Sequence, residues 1–334
     1  MRTPGLSFVY VSALAACSGA TGNPPPPTDG AVTDSQADSS PPGDTGTPGD
    51  SGTPGDTGMG GDTAMAACGT ERPDLSMTPA SEGLVIAADG TIYSSRSGGV
   101  ARTRPGMPTE ANWVRLTGAT TVWGLALDVA NRRLYVGSPG NATVFAVDYT
   151  ADPPTSTAHL AMAGQPNGLT MGPDGALYYS DFAGGHVYRV EAAGMRTRVT
   201  RTPIAQANGL AFAPDRTLYV NGYGAGQVFR LTLDAMGAET ERAMVATGAG
   251  GADGLALDAI GRLYVTAQGS GSLLRYNADG TGRTVLRMGM TSPANVEFGA
   301  GSLNCSDIYI ATGGRPGVVM VEGDTNGAAV PWHR

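Results

Sequence analysis

The sequence predicts an all-β fold: a six-bladed β-propeller of four-stranded antiparallel blades, preceded by a disordered linker. Three observations predict it. A short phrase restarts six times, at Glu82-Gly83-Leu84, Trp123-Gly124-Leu125, Asn167-Gly168-Leu169, Asn208-Gly209-Leu210, Asp253-Gly254-Leu255 and, in degenerate form, Asn295-Val296-Glu297. The opening residues lie 41, 44, 41, 45 and 42 positions apart, a period that marks propeller blades. Each unit holds strand-like runs separated by tight turns, and no helical period is long enough to compete.

The chain begins with a segment not built to fold. Residues 1–16 carry one basic residue, Arg2, then an apolar run ending Leu14-Ala15-Ala16-Cys17. A short apolar core ending in small residues reads as a signal peptide rather than a membrane span. Its end resembles a bacterial lipobox, which implies cleavage before Cys17 and lipid attachment to its sulfur. The ordinary alternative is a signal with an incidental cysteine. On the lipobox reading the protein is exported and lipid-anchored to the bacterial envelope, and it meets the membrane only through that anchor.

Residues 17–67 are rich in Gly, Pro, Ser, Thr and Asp and have almost nothing to bury, so a disordered tether is expected. From Gly43 to Gly61 a glycine falls at every third position. That is collagen spacing, but few triplets carry proline and a flexible spacer is the simpler reading.

The folded part is then residues 68–334, expected as a monomer. Seven aspartates of the linker supply most of the net charge of −8. What remains is nearly neutral, so no basic stripe invites nucleic acid. Beyond Cys17 only Cys68 and Cys305 are left. In an exported protein a pair at the two ends of one domain suggests a disulfide that ties the entry segment to the last blade, the alternative being two unpaired thiols.

Residues 252–279 show the blade grammar most clearly. Gly254–Asp258 alternates as an inner strand, Arg262–Thr266 forms a second and Ser272–Tyr276 a third, with Arg283–Leu286 outermost. Leu134-Tyr135, Leu177-Tyr178, Leu218-Tyr219 and Leu263-Tyr264 recur on the second strands, where they are expected to pack blade against blade.

In a propeller the residue that opens each inner strand faces the axis, so Glu82, Trp123, Asn167, Asn208, Asp253 and Asn295 converge on one mouth of the channel. The plain reading is a wet channel that needs polar residues. Glu82 and Asp253 argue for more, because two carboxylates in a narrow channel both ionise only when a cation is present. Carboxylates and amide oxygens are the ligand set of Ca²⁺ or Mg²⁺.

These residues resemble the regucalcin/gluconolactonase family. Glu82-Gly83, Asn167-Gly168, Asn208-Gly209 and Asp253-Gly254 fall in family order on blades one, three, four and five, and the resemblance covers residues from about 75 to 334. It implies one divalent metal on Glu82, Asn208 and Asp253, with Ca²⁺ first and Mg²⁺, Mn²⁺ or Zn²⁺ as alternatives. It also implies substrate contact by Asn167 and a general base in Asp253. Gln165, Trp123 and Asn295 are further candidates for the substrate shell. Gln165 stands where the family typically has Arg, Gly168 where it has an acidic residue, and Leu84 where it has Pro. The metal positions are therefore kept while the substrate-orienting positions differ.

The expected function is a metal-dependent lactonohydrolase acting on a small lactone or ester through activated water. The competing reading is a non-catalytic cell-surface propeller that binds a ligand or a protein and uses the metal structurally. No Ser elbow or Cys–His pair offers a covalent route. His159, His186 and His333 are scattered away from the ring positions.

Overall fold

The computed structural model describes residues 68–191 and 194–330. The expected signal peptide 1–16, Cys17, the expected linker 17–67 and His333 lie outside the described residues. Among the described residues there are six antiparallel sheets and no α-helix, and so no helix long and apolar enough to cross a membrane.

The inner strands are Leu84–Ile86, Leu125–Asp128, Pro166–Met171, Ala207–Phe212, Ala252–Leu257 and Pro293–Phe298. Each heads a meander in which sequence order is spatial order. Five sheets have four strands, and the sixth has three: Pro293–Phe298, Ile308–Thr312 and Val318–Val321. Neighbouring inner strands touch around the whole circle, the last against the first, so the ring is closed.

The core lies in the seams between blades. Six apolar clusters occur among the described residues, each joining two neighbours, from Val85, Tyr93, Leu125 and Val136 between blades one and two to Leu84, Ile92, Tyr309 and Val318 between six and one. The Leu-Tyr pairs serve these seams as expected. Tyr178 meets Phe212 of the next blade edge-on at 5.0 Å, and Tyr264 meets Phe298 at 5.0 Å.

The ring is tied where chain entry meets chain exit. Cys68 and Cys305 form a disulfide that spans 237 residues. Beside it Arg72 pairs with the buried Asp307 at 2.9 Å and with Glu322 at 2.7 Å. Gly69 and Glu71 donate to the carbonyls of Gly301 and Ser302. The final segment crosses the mouth at which the inner strands end: Ala259 N–H donates to Asn326 O and Ala328 N–H to Leu257 O. Ala328 and Val330 there line a cavity of ≈ 50 Å³.

A cross-link over so long a loop restricts the unfolded chain by on the order of 3–5 kcal/mol in the loop-entropy model. Cys68→Ala is therefore expected to lower the Tm by roughly 5 °C or more. Thermal unfolding followed by circular dichroism checks this, and an unchanged Tm would count against a stabilising bridge.

Candidate metal centre

The opening residues reach the axis because the inner strands leave their ladders there. In blades three to six the pairing of inner and second strand skips between Pro166 and Leu169, Ala207 and Leu210, Ala252 and Leu255, and Pro293 and Val296. The skipped residues are Asn167-Gly168, Asn208-Gly209, Asp253-Gly254 and Ala294-Asn295. Their backbone groups must find other partners.

A second periodic position supplies them. Ser95 Oγ accepts from the Glu82 and Gly83 N–H groups, and Ser180 Oγ accepts from Gly168 N–H and donates to Asn208 O at 2.7 Å. Thr266 Oγ1 accepts from Gly254 N–H and donates to Ala294 O. Asn221 Nδ2 donates to the carbonyls of Asp253 and Gly254 at 2.9 and 3.0 Å. Ser95, Ser180, Asn221 and Thr266 each stand three residues after the Leu or Ile of the Leu-Tyr pair or its variant.

The glycine after each of the first five opening residues makes room for the neighbouring backbone. A Cβ on Gly124 would lie 1.7 Å from Asn167 O, and one on Gly209 2.3 Å from Asp253 O. Only hydrogen fits at these positions.

Glu82, Asn167, Asn208, Asp253 and Asn295 line one cavity of ≈ 20 Å³ with the glycines between them. That is room for a single ion or water. Asp253, Asn208 and Asn167 are 3%, 2% and 4% exposed. The Asn167 amide lies beside the Glu82 carboxyl and the Asn208 amide beside that of Asp253. Gln268 Nε2 also donates to Asp253 Oδ2 at 3.1 Å, and Gln268 Oε1 accepts from Tyr223 Oη at 2.7 Å.

Burial pushes the Glu82 carboxyl up to about 7, against the hydrogen bond from Asn167. Burial and then the Glu82 charge push Asp253 well above the usual carboxylate range. No basic side chain contributes to either shift. Two carboxyls thus share a desolvated place with nothing cationic to hold both ionised.

The other sequence candidates separate. Trp123, partly buried, opens blade two, and its ring meets Phe182 at 5.9 Å. Gln165 is exposed two residues before Asn167. Its N–H donates to Asp181 Oδ1 at 2.9 Å and its carbonyl accepts from Phe182 N–H, so it stands on the rim rather than in the cavity. Asn295 links blade six to blade one: its Nδ2 donates to Leu84 O at 2.7 Å and its Oδ1 accepts from Val296 N–H at 2.9 Å. His186 bonds Thr200 and His159 packs on Tyr135, and neither borders the cavity.

Phe182, Tyr223 and Gln268 were missed by the sequence reading. Each is the fifth residue after the Leu of a Leu-Tyr pair, where the second strand ends at the same mouth. The signal was positional, since no residue type repeats at that register.

Residues 179–314 match the family model described as the SMP-30/Gluconolactonase/LRE-like region. Asn208, Asp253 and Asn295 fall within it, and Glu82 and Asn167 precede it. Among solved structures, the chain is similar to a calcium-binding protein, regucalcin, from Agrobacterium tumefaciens, with TM-score 0.63 and 21% identity over 81% of this chain and 100% of that one. It is also similar to a gluconolactonase from Xanthomonas campestris, with TM-score 0.60 and 22% identity over 78% and 97%. A virginiamycin B lyase from Staphylococcus aureus gives TM-score 0.53 and 12% identity over 76% and 87%. At these identities the likeness is one of fold. No curated protein matches the chain.

The raised Glu82 carboxyl has a consequence for the metal-free protein. A carboxyl whose folded pKa exceeds its unfolded value keeps a proton in the fold that the unfolded chain has lost. Stability therefore falls as pH rises from the ordinary Glu value toward about 7. In EDTA, the urea midpoint is expected to decline across that window and the decline to flatten in Glu82→Gln. A midpoint that rises over the same range in the wild-type protein, with no difference in the variant, would contradict the assignment.

Proposed function

We propose that the protein is a metal-dependent lactonohydrolase held at the bacterial envelope through Cys17, hydrolysing a lactone or related ester. The observation that carries this reading is the Glu82–Asp253 pair, a partly buried and a buried carboxyl at one mouth with amides beside them and no basic partner. The donor set fits a hard divalent cation: all ligands are oxygen, the cavity takes one ion, and the carboxyl charges need neutralising. Among the described residues no group of three or more His, Cys, Asp or Glu is suited to a metal, so the amide oxygens are needed to complete this set. Glu82, Asn208 and Asp253 would hold the ion, with Ca²⁺ first and Mg²⁺, Mn²⁺ or Zn²⁺ as alternatives. The calcium-binding and gluconolactonase neighbours agree with such a centre.

A bound cation supplies Lewis acidity toward the lactone carbonyl. The rest falls to the chain's own residues. Asp253, oriented by Asn208 and Gln268, takes a proton from water as the water oxygen bonds to the carbonyl carbon. The ring C–O bond then breaks and the proton passes to the leaving oxygen, giving the hydroxy acid. Asn167 lies beside Glu82, where its amide can orient the substrate, and Gln165 offers a rim contact. The ≈ 20 Å³ cavity is too small for a lactone, so the substrate body rests outside it, against the rim.

Proton release by the purified protein with δ-valerolactone and glucono-δ-lactone tests the reading, with Ca²⁺ or EDTA. Metal-dependent turnover that falls by about 10²-fold or more in Asp253→Asn is the expected result. Metal binding without turnover of either lactone, or of a benzo-fused one, would favour the binding platform instead.

A further inference from the structure

Above the cavity the mouth has an aromatic wall. Trp123, Phe182 and Tyr223 come from three consecutive blades, and each is partly buried. Trp123 meets Phe182 edge-on with centroids 5.9 Å apart, and Phe182 meets Tyr223 in the same way at 5.6 Å. The wall is joined to the centre, because the Tyr223 hydroxyl donates to Gln268, which donates to Asp253. The Tyr223 ring therefore stands one side chain away from the Asp253 carboxyl.

The polar groups that join this wall to the carboxyl pair are engaged. Gln268 accepts from the Tyr223 hydroxyl through its oxygen and donates to Asp253 through its nitrogen. Asp181, at the foot of the Phe182 loop, is 8% exposed and accepts from the Gln165 and Gly184 N–H groups. A ligand carrying hydroxyls on every carbon would lose water against ring edges and faces and find partners only toward the rim, at the exposed Gln165. A flat apolar ligand would gain edge-to-face contact along the arc.

Resting on the hydrolase reading, we propose that the site selects lactones with an aromatic or flat apolar portion seated on Trp123, Phe182 and Tyr223, over polyhydroxylated sugar lactones. The reacting carbonyl then lies toward Asp253 and Asn167, and the apolar portion points out along the wall.

The test compares a benzo-fused δ-lactone, δ-valerolactone and glucono-δ-lactone with the full chain in Ca²⁺, each kcat/KM divided by the spontaneous hydrolysis rate. The benzo-fused compound is expected to lead the sugar lactone by about tenfold or more, the scale on which apolar pockets discriminate. In Phe182→Ala, or Phe182→Leu should the first fold poorly, its advantage over δ-valerolactone is expected to shrink by about tenfold, through KM. Equal or better turnover of the sugar lactone, or an unchanged ratio in the variants, would overturn the substrate class and leave the hydrolase standing. Turnover of none of the three would remove the hydrolase reading. Calorimetry with the corresponding benzo-fused lactam then decides: binding that weakens in Phe182→Leu supports an apolar ligand on the wall, and no binding overturns it.

Discussion

The constraint on which the molecule depends is the approach of six inner strands around one axis. Closure brings the backbone of each opening motif against the carbonyl of the next, so that a methyl group at Gly124 or Gly209 would overlap a neighbour's oxygen. The strands meet this by leaving their ladders for two residues. The freed N–H and C=O groups are then caught by Ser95, Ser180, Asn221 and Thr266. Where the ring joins itself, the Asn295 side chain does the catching across the seam. The polar side chains at the mouth are therefore fixed by the same bonds that close the ring.

Rigidity of this kind gives the carboxyl pair its chemistry. The backbone at Glu82 and Asp253 is held by the bonds of the closing motifs, and burial pushes both carboxyls upward. In water such groups would ionise separately. Here the protonation of one bears on the other, and a cation would change both at once. Gln268 adds direction, since Tyr223 engages its oxygen and turns its nitrogen to Asp253.

Much of this was legible in the sequence because a propeller repeats its chemistry at a fixed period. The six opening residues, the seam-packing Leu-Tyr pairs and the joining of Cys68 to Cys305 follow from period and from chain ends. The supporting hydroxyls at Ser95, Ser180 and Thr266 were equally periodic and could have been found the same way. Phe182, Tyr223 and Gln268 share one register, but their side chains have nothing in common, so periodicity marked the place and not the role. Asn295 looked like a fifth polar residue for the channel. Only the path of its amide to Leu84 O gives it a ring-closing task, and that depends on how the last blade meets the first. The sixth blade's three strands were likewise invisible, because the repeat counts inner strands and not edges.

The most direct measurement is calorimetric titration of Ca²⁺ into the metal-free protein at about pH 6.5, in two buffers with different ionisation heats. The expected result is binding with net proton release, because a cation replaces protons on the Glu82–Asp253 pair. Both the affinity and the released protons should fall in Asp253→Asn. Absence of binding, or binding with no proton release that survives in the variant, would contradict the assignment of the channel mouth as a cation centre.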